Sequence, residues 1–131
     1  LLATAPTLTA QTAAEEKAAV GAVVTQLFDA MRVRDTTAMR GAFHEGAALQ
    51  SVGPRGLSRD PIDGWIKSVA GAPAGTVLDE RLGTPTIQVD GALATVWVDY
   101  WFFVGDRFSH CGVDAFILIK QEGRWRISAV A

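Results

Sequence analysis

Residues 97–101 read Trp-Val-Asp-Tyr-Trp and residues 108–116 read Phe-Ser-His-Cys-Gly-Val-Asp-Ala-Phe, so ionisable groups stand where buried strands are expected. Asp99, His110 and Asp114 are the three that could do chemistry. A carboxyl walled by aromatic side chains loses solvation in its charged form, which lifts its pKa toward neutrality and suits it to acid–base work. An imidazole nearby adds a proton-transfer partner or an electrophile. Such a set can run proton transfer, isomerisation, cyclisation, dehydration or hydration without a cofactor. The same carboxyls could instead be bonded to tryptophan indoles or paired with an arginine, with no chemistry attached.

No metal or other cofactor is expected. The only histidines, His44 and His110, lie far apart in the chain, Glu45 makes no metal motif with His44, and Cys111 is the sole cysteine. One cysteine permits neither an internal disulfide nor a thiolate zinc site. His44 follows a helix and reads as a surface or capping residue.

Two long strands must position the candidates. Folding the chain about Gly105-Asp106 so that Val104 faces Arg107 sets Trp101 against His110, Asp99 against Gly112 and Trp97 against Asp114. Opposed residues share a face. One face then carries Trp97, Asp99, Trp101, His110, Asp114 and Phe116, a hollow walled by aromatics with Gly112 as its floor. The other carries Val96, Val98, Tyr100 and Phe102 with Cys111, Val113, Ala115, Ile117 and Ile119. That second face is almost wholly apolar and is expected to bury itself in a homodimer. His110 and Asp114 would stand about 13 Å apart along their strand. Asp99 would lie diagonal to both.

The rest of the chain supplies the scaffold. Thr12 and Glu15 have the spacing of a capping box. Behind them Val20, Val24, Leu27 and Met31 recur at helical spacing, predicting a long amphipathic helix to about Arg34. Asp35 caps a second, short helix; residues 47–52 form a strand closed by Gly53-Pro54-Arg55-Gly56; Asp60-Pro61 opens a third helix carrying Ile62, Trp65, Ile66 and Val69. Leu27 and Trp65 are the helical side chains placed to line a pocket. Beyond Gly75 the periodicity turns to strands, with turns at Asp90-Gly91, Gly105-Asp106 and Glu122-Gly123. The order is helix, helix, strand, helix and then about four antiparallel strands, an α+β domain over residues 13–131.

Composition narrows the partners. A net charge of −2 with no Lys/Arg cluster argues against a nucleic-acid surface, and no apolar run reaches the length of a membrane span. Residues 1–12 read as the remnant of a signal peptide, with cleavage after Ala10 and a periplasmic or secreted location, or else as an N-terminal arm of a cytoplasmic protein.

The Phe43–Leu49 transition (Phe-His-Glu-Gly-Ala-Ala-Leu) after two helices, and the closing Gly-Arg-Trp-Arg-Ile strand at 123–127, resemble the nuclear transport factor 2-like superfamily, which includes ketosteroid isomerases, polyketide cyclases and scytalone dehydratase. The resemblance implies a cone: a curved sheet wrapped around the helices, an apolar pocket within, and dimerisation through sheet surface. Against ketosteroid isomerase it implies that the oxyanion-binding aspartate falls on Asp114, the catalytic base on Ser51 and the oxyanion tyrosine on Leu27. Only one role keeps a competent side chain, so steroid isomerisation is not expected. The expected function is binding of a small hydrophobic molecule, or acid–base catalysis on it, through Asp114, Asp99 and His110 with Trp97, Trp101, Phe116, Trp65 and Leu27 as ligand-binding walls. The alternative is a dimerisation or protein-interaction module with a vestigial pocket.

Overall fold

The computed structural model describes residues 3–4 and 11–131. Most of the expected leader, including the junction after Ala10, lies outside the described residues. Helix α1 (Ala13–Val33) starts where Thr12 accepts a hydrogen bond from the Glu15 amide at 3.1 Å, and it stops where Arg34 turns left-handed at φ 57°. Asp35 then caps α2 (Thr36–Gly41) by accepting from the Ala38 amide at 3.0 Å. Both caps are side-chain oxygens serving free helix amides, but the capping box is met by half, since Glu15 accepts from the Thr12 hydroxyl at 3.1 Å and not from its amide.

Next come β1 (Phe43–Gly53), β2 (Gly56–Pro61), α3 (Ile62–Ala70), β3 (Leu78–Leu82), β4 (Thr86–Asp90), β5 (Leu93–Val104), β6 (Arg107–Gln121) and β7 (Arg124–Val130). The seven strands form one sheet in the order β2-β1-β7-β6-β5-β3, with β4 joining β5 beside β3. β1 and β7 run parallel; the other pairs are antiparallel. The architecture is α+β, a curved sheet closing over the helices.

Two strand expectations change. The segment read as one strand followed by breakers is a hairpin, because Gly56 at φ 93° lets the chain return and pair Gly53 with itself and Ala48 with Pro61. Asp60 consequently lies in β2, and Pro61 stands at the N-cap of α3 without a side-chain cap bond.

The second change decides the site. β5 and β6 pair as expected at the turn, with Val104 against Arg107 and Phe103 against Phe108, but Phe102 then meets His110. Ser109 is an extra residue, a β-bulge, and every pairing beyond it is displaced by one. Trp101 therefore faces Cys111, Asp99 faces Val113 and Trp97 faces Ala115. A one-residue shift turns a whole strand over. The concave face holds Val96, Val98, Tyr100 and Phe102 with His110, Gly112, Asp114 and Phe116. Trp97, Asp99 and Trp101 stand on the convex face.

The core sits between α1 and that concave face. Val20, Val24, Leu27, Phe28 and Met31 pack with Val96, Val98, Phe116, Leu118 and Ile127, all buried. Removing each large side chain from water contributes roughly 2 kcal/mol. Polar ties fix the helix on its sheet. Glu16 accepts from Lys120 Nζ at 2.6 Å and from the Trp125 indole at 2.7 Å. Arg32 donates to Asp79 at 2.8 Å, fastening the end of α1 to β3. Arg34 donates to the carbonyls of Ala72, Pro73 and Thr76, which holds the segment leading into β3.

Candidate functional site

β3 is an edge strand, and its concave-facing residues are Leu78, Glu80 and Leu82, opposite Val104, Phe102 and Tyr100. Glu80 thus enters the cone, where its carboxyl hydrogen-bonds that of Asp114 from β6. Both groups are largely removed from solvent. Burial is the first cause acting on each: it pushes Glu80 up to about 9, with the neighbouring Asp114 charge adding to the rise. Asp114 rises to about 6, its increase moderated by the hydrogen bond from Glu80 and by the field of His110. Between roughly pH 6 and pH 9 the pair therefore keeps one proton and one negative charge, and these values belong to the pair as a unit.

Hydrogen-bond accounting agrees with a proton held by the pair. Asp114 Oδ2 is buried and meets no N–H or hydroxyl donor. A buried carboxylate oxygen without a donor is costly, and a protonated Glu80 is the neighbour able to provide one. The pair thus offers an acid and a base side by side.

Tyr100 completes the floor. A β-carbon on Gly112 would come 3.0 Å from the Tyr100 hydroxyl oxygen and 3.1 Å from its ring, so the ring lies over the glycine. Its phenol is raised by burial first and by the charges of Asp114 and Glu80 next.

The pair faces a cavity of about 710 Å³. Leu27, Phe28 and Met31 of α1 and Trp65 and Val69 of α3 form one wall; Phe43, Phe102 and Phe116 form the other; Gln50, Ser51 and Asp60 belong to the hairpin side. Phe28 meets Phe116 edge-on at 6.2 Å between centroids, and Phe43 meets Trp65 likewise at 6.1 Å. His110 lies toward the open side, its ring 5.8 Å from Tyr100 and 5.2 Å from Phe102, with Nδ1 3.0 Å from the Ser109 hydroxyl.

Of the residues singled out in the sequence, Asp114, His110, Phe116, Trp65 and Leu27 come together around this cavity. Asp99, Trp97 and Trp101 do not: the bulge carries them to the convex face, where Trp97 is 60% and Trp101 44% exposed. Asp114 is paired with Glu80, not with Asp99. The expected apolar face is likewise redistributed, since Val96 and Val98 are buried under α1 while Val113 and Ile117 remain outside. His44 is not a cap; its Nε2 lies 3.0 Å from the Ile119 carbonyl oxygen.

A family model described as "Putative lumazine-binding" matches residues 15–130, the whole of the cone. The chain belongs to this family. It is one of the NTF2-like families, so the fold is that of the wider superfamily. Among solved structures, an NTF2-like protein of unknown function from Shewanella baltica is 24% identical, with a TM-score of 0.73 over 92% of this chain and 94% of that one. Aln2 from Streptomyces is 16% identical, with a TM-score of 0.76 over 92% and 91%. A structure described as a "putative ketosteroid isomerase" from Shewanella frigidimarina is 19% identical, with a TM-score of 0.66 over 86% and 92%. At these identities the likeness is one of fold. No curated protein matches the chain.

Within this lumazine-binding-family cone, the three positions on which the isomerase roles fall, Leu27, Ser51 and Asp114, all line the one cavity. The residue that sequence reasoning missed is Glu80. It sits in Leu-Asp-Glu-Arg-Leu (78–82), an acid-rich stretch whose alternation assigns Leu78, Glu80 and Leu82 to one side. Two leucines flanking a glutamate at period two were the available signal.

Proposed function

We propose that this chain binds a small apolar molecule in its cone and that the Glu80–Asp114 pair performs acid–base chemistry on it. One observation carries the reading: two neighbouring buried carboxyls, Glu80 and Asp114, both pushed above the ordinary carboxylate range by burial, face an aromatic-walled cavity. Apolar pockets with a few convergent polar groups of perturbed pKa are where ligands and catalysis concentrate. The pair supplies a base and an acid, a combination suited to isomerisation, cyclisation, dehydration or hydration through a proton taken at one atom and returned at another. Tyr100 can polarise an oxygen held beside the pair, and His110 stands where it can serve as a second proton carrier. No step in such chemistry calls for a cofactor. The family's description names lumazine, a polar but flat fused-ring heterocycle, and aromatic walls can stack on such a ring system.

The experiment is a thermal-stabilisation screen of ring-containing hydrophobic metabolites against the wild type, Asp114→Asn and Glu80→Gln. Compounds that raise the wild-type melting temperature should lose most of that effect in at least one variant. If no compound stabilises the wild type, the cavity is not a ligand site.

A second reading has its own observation. The convex face exposes Trp97, Trp101, Val113 and Ile117, the last two at 39% and 44%. Apolar surface of this density on one sheet face is uncommon on a monomer. We infer that a second copy of the chain covers it, so the protein would be a homodimer with its two cones opening away from the shared sheet surface. The two readings are compatible, since one uses the concave face and the other the convex.

A further inference from the structure

The charged groups that surround the cavity are of one sign. Its walls include the carboxyls of Asp60, Glu80 and Asp114, a single imidazole, and, among the described residues that line it, no lysine or arginine. This is unusual composition for a chain whose basic and acidic residues number 12 and 14. An anionic ligand would have no guanidinium or ammonium to meet and would face a carboxylate at close range in a low-dielectric site. A cation would find the reverse. It would meet a carboxyl on the floor and aromatic rings on both walls, a residue type whose faces attract cations through their quadrupoles.

We propose that the ligand is a hydrophobic organic cation, a ring-bearing protonated amine or protonated nitrogen heterocycle, whose N–H is received by Asp114 in the cone. This rests on the reading of the cavity as a ligand site and adds the chemical class. The ring occupies the space between the Phe28–Phe116 and Phe43–Trp65 pairs, and the nitrogen points at the floor, where Asp114 lies on the cavity lining with Tyr100. Glu80 stays neutral and donates to Asp114, which holds the accepting carboxylate in place. Asp60, on the hairpin strand at the open side, gives an incoming cation its first attraction. For a ligand that arrives protonated, Asp114 is also the group placed to take the proton away.

Three matched probes separate this class from its neighbours: naphthalen-1-ylmethylamine, naphthalen-1-ylmethanol and naphthalene-1-carboxylate. They share a ring system and differ in the charge at one short arm. Calorimetric titration at pH 7.5 should give the amine roughly tenfold tighter binding than the alcohol, the scale of a charge-assisted hydrogen bond over a neutral one, and the carboxylate weakest. In Asp114→Asn the preference for the amine should collapse, while Asp99→Asn on the convex face should retain it. Should Asp114→Asn fail to fold, the wild type at pH 5 tests the same point, because both carboxyls of the pair then carry protons. The ionisable groups facing the pair within this cavity are Tyr100 and His110, with Asp60 at the open side, while Glu80 also borders an adjoining pocket whose walls include Asp29, Arg32 and Arg81. Alcohol binding as tight as amine binding, or an amine preference that survives in Asp114→Asn, overturns the cation assignment and leaves the ligand site standing. Failure of all three probes to bind overturns the ligand site as well.

Discussion

Replacing Glu80 with glutamine should make this protein less sensitive to alkali, and the size of the effect follows from the burial of one carboxyl. In the unfolded chain a glutamate ionises near its ordinary value of 4.5, whereas in the folded cone the Glu80–Asp114 pair holds its last proton up to about 9. Between those values folding takes up a proton, so stability falls as pH rises, by about 1.4 kcal/mol per pH unit. Asp114, raised from 3.8 to about 6, adds its loss below pH 6 and little above it. Asp79 and Glu16 act elsewhere. Their values are lowered, chiefly by the hydrogen bonds from Arg32 and Lys120, so their contributions vanish only in acid. Tyr100 is raised above 10 and acts only at the alkaline extreme. From pH 6 to pH 9, then, this pair has the dominant slope, and the wild type should lose up to roughly 4 kcal/mol across that window. Glutamine is neutral throughout and retains an N–H for Asp114, so Glu80→Gln should lose far less. Urea unfolding at intervals from pH 6 to pH 9, followed by tryptophan fluorescence, measures both curves. Parallel curves would refute the reasoning, because Glu80 would then have to ionise in the fold as it does in water.

Two further outcomes test the floor and the convex face. Gly112→Ala should cost about 1–3 kcal/mol in urea unfolding, because its new methyl group meets the Tyr100 ring and hydroxyl at 3.0–3.2 Å; an unchanged midpoint would mean that Tyr100 does not rest on the glycine. Val113→Asp places a charge on the convex face and should convert the proposed dimer to monomer in sedimentation at micromolar concentration, with the helical circular dichroism unchanged; a wild type already monomeric there would end the dimer reading.

The helices were legible because their signals are local. Thr12 with Glu15, Asp35, and the Val20-Val24-Leu27-Met31 stripe specify caps and faces within a few residues, and the folded protein uses each as a cap or a face. The three turns at glycines 91, 105 and 123 were legible for the same reason, all three adopting positive φ. The β1–β2 hairpin escaped because its second strand is exposed along its whole length and so carries no alternation of burial. The carboxyl partner of Asp114 escaped because pairing across β3 and β6 is set by sheet curvature, which no short window of sequence records. Ser109 was the costliest omission. Nothing in Phe-Ser-His marks the serine as the residue that drops out of the ladder, and the unbulged register divides polar from apolar groups just as neatly.

That bulge also decides which side chains each face of the hairpin presents. Without it, Trp97, Asp99 and Trp101 would join His110 and Asp114 inside, and the cone would have to house two tryptophans where it now has open space. With it, β5 sends Val96 and Val98 to pack against α1 and Tyr100 and Phe102 to the cavity, while the tryptophans go outward. The displaced pairing sets Asp114 beside Val98 instead of Trp97, so an aliphatic side chain that cannot donate a hydrogen bond occupies the place an indole would have held. Deprived of that donor, the Asp114 carboxylate is left to Glu80, which can serve it only by staying protonated. The aliphatic neighbour of Asp114 and the tryptophans on the outer surface are thus two consequences of one inserted residue.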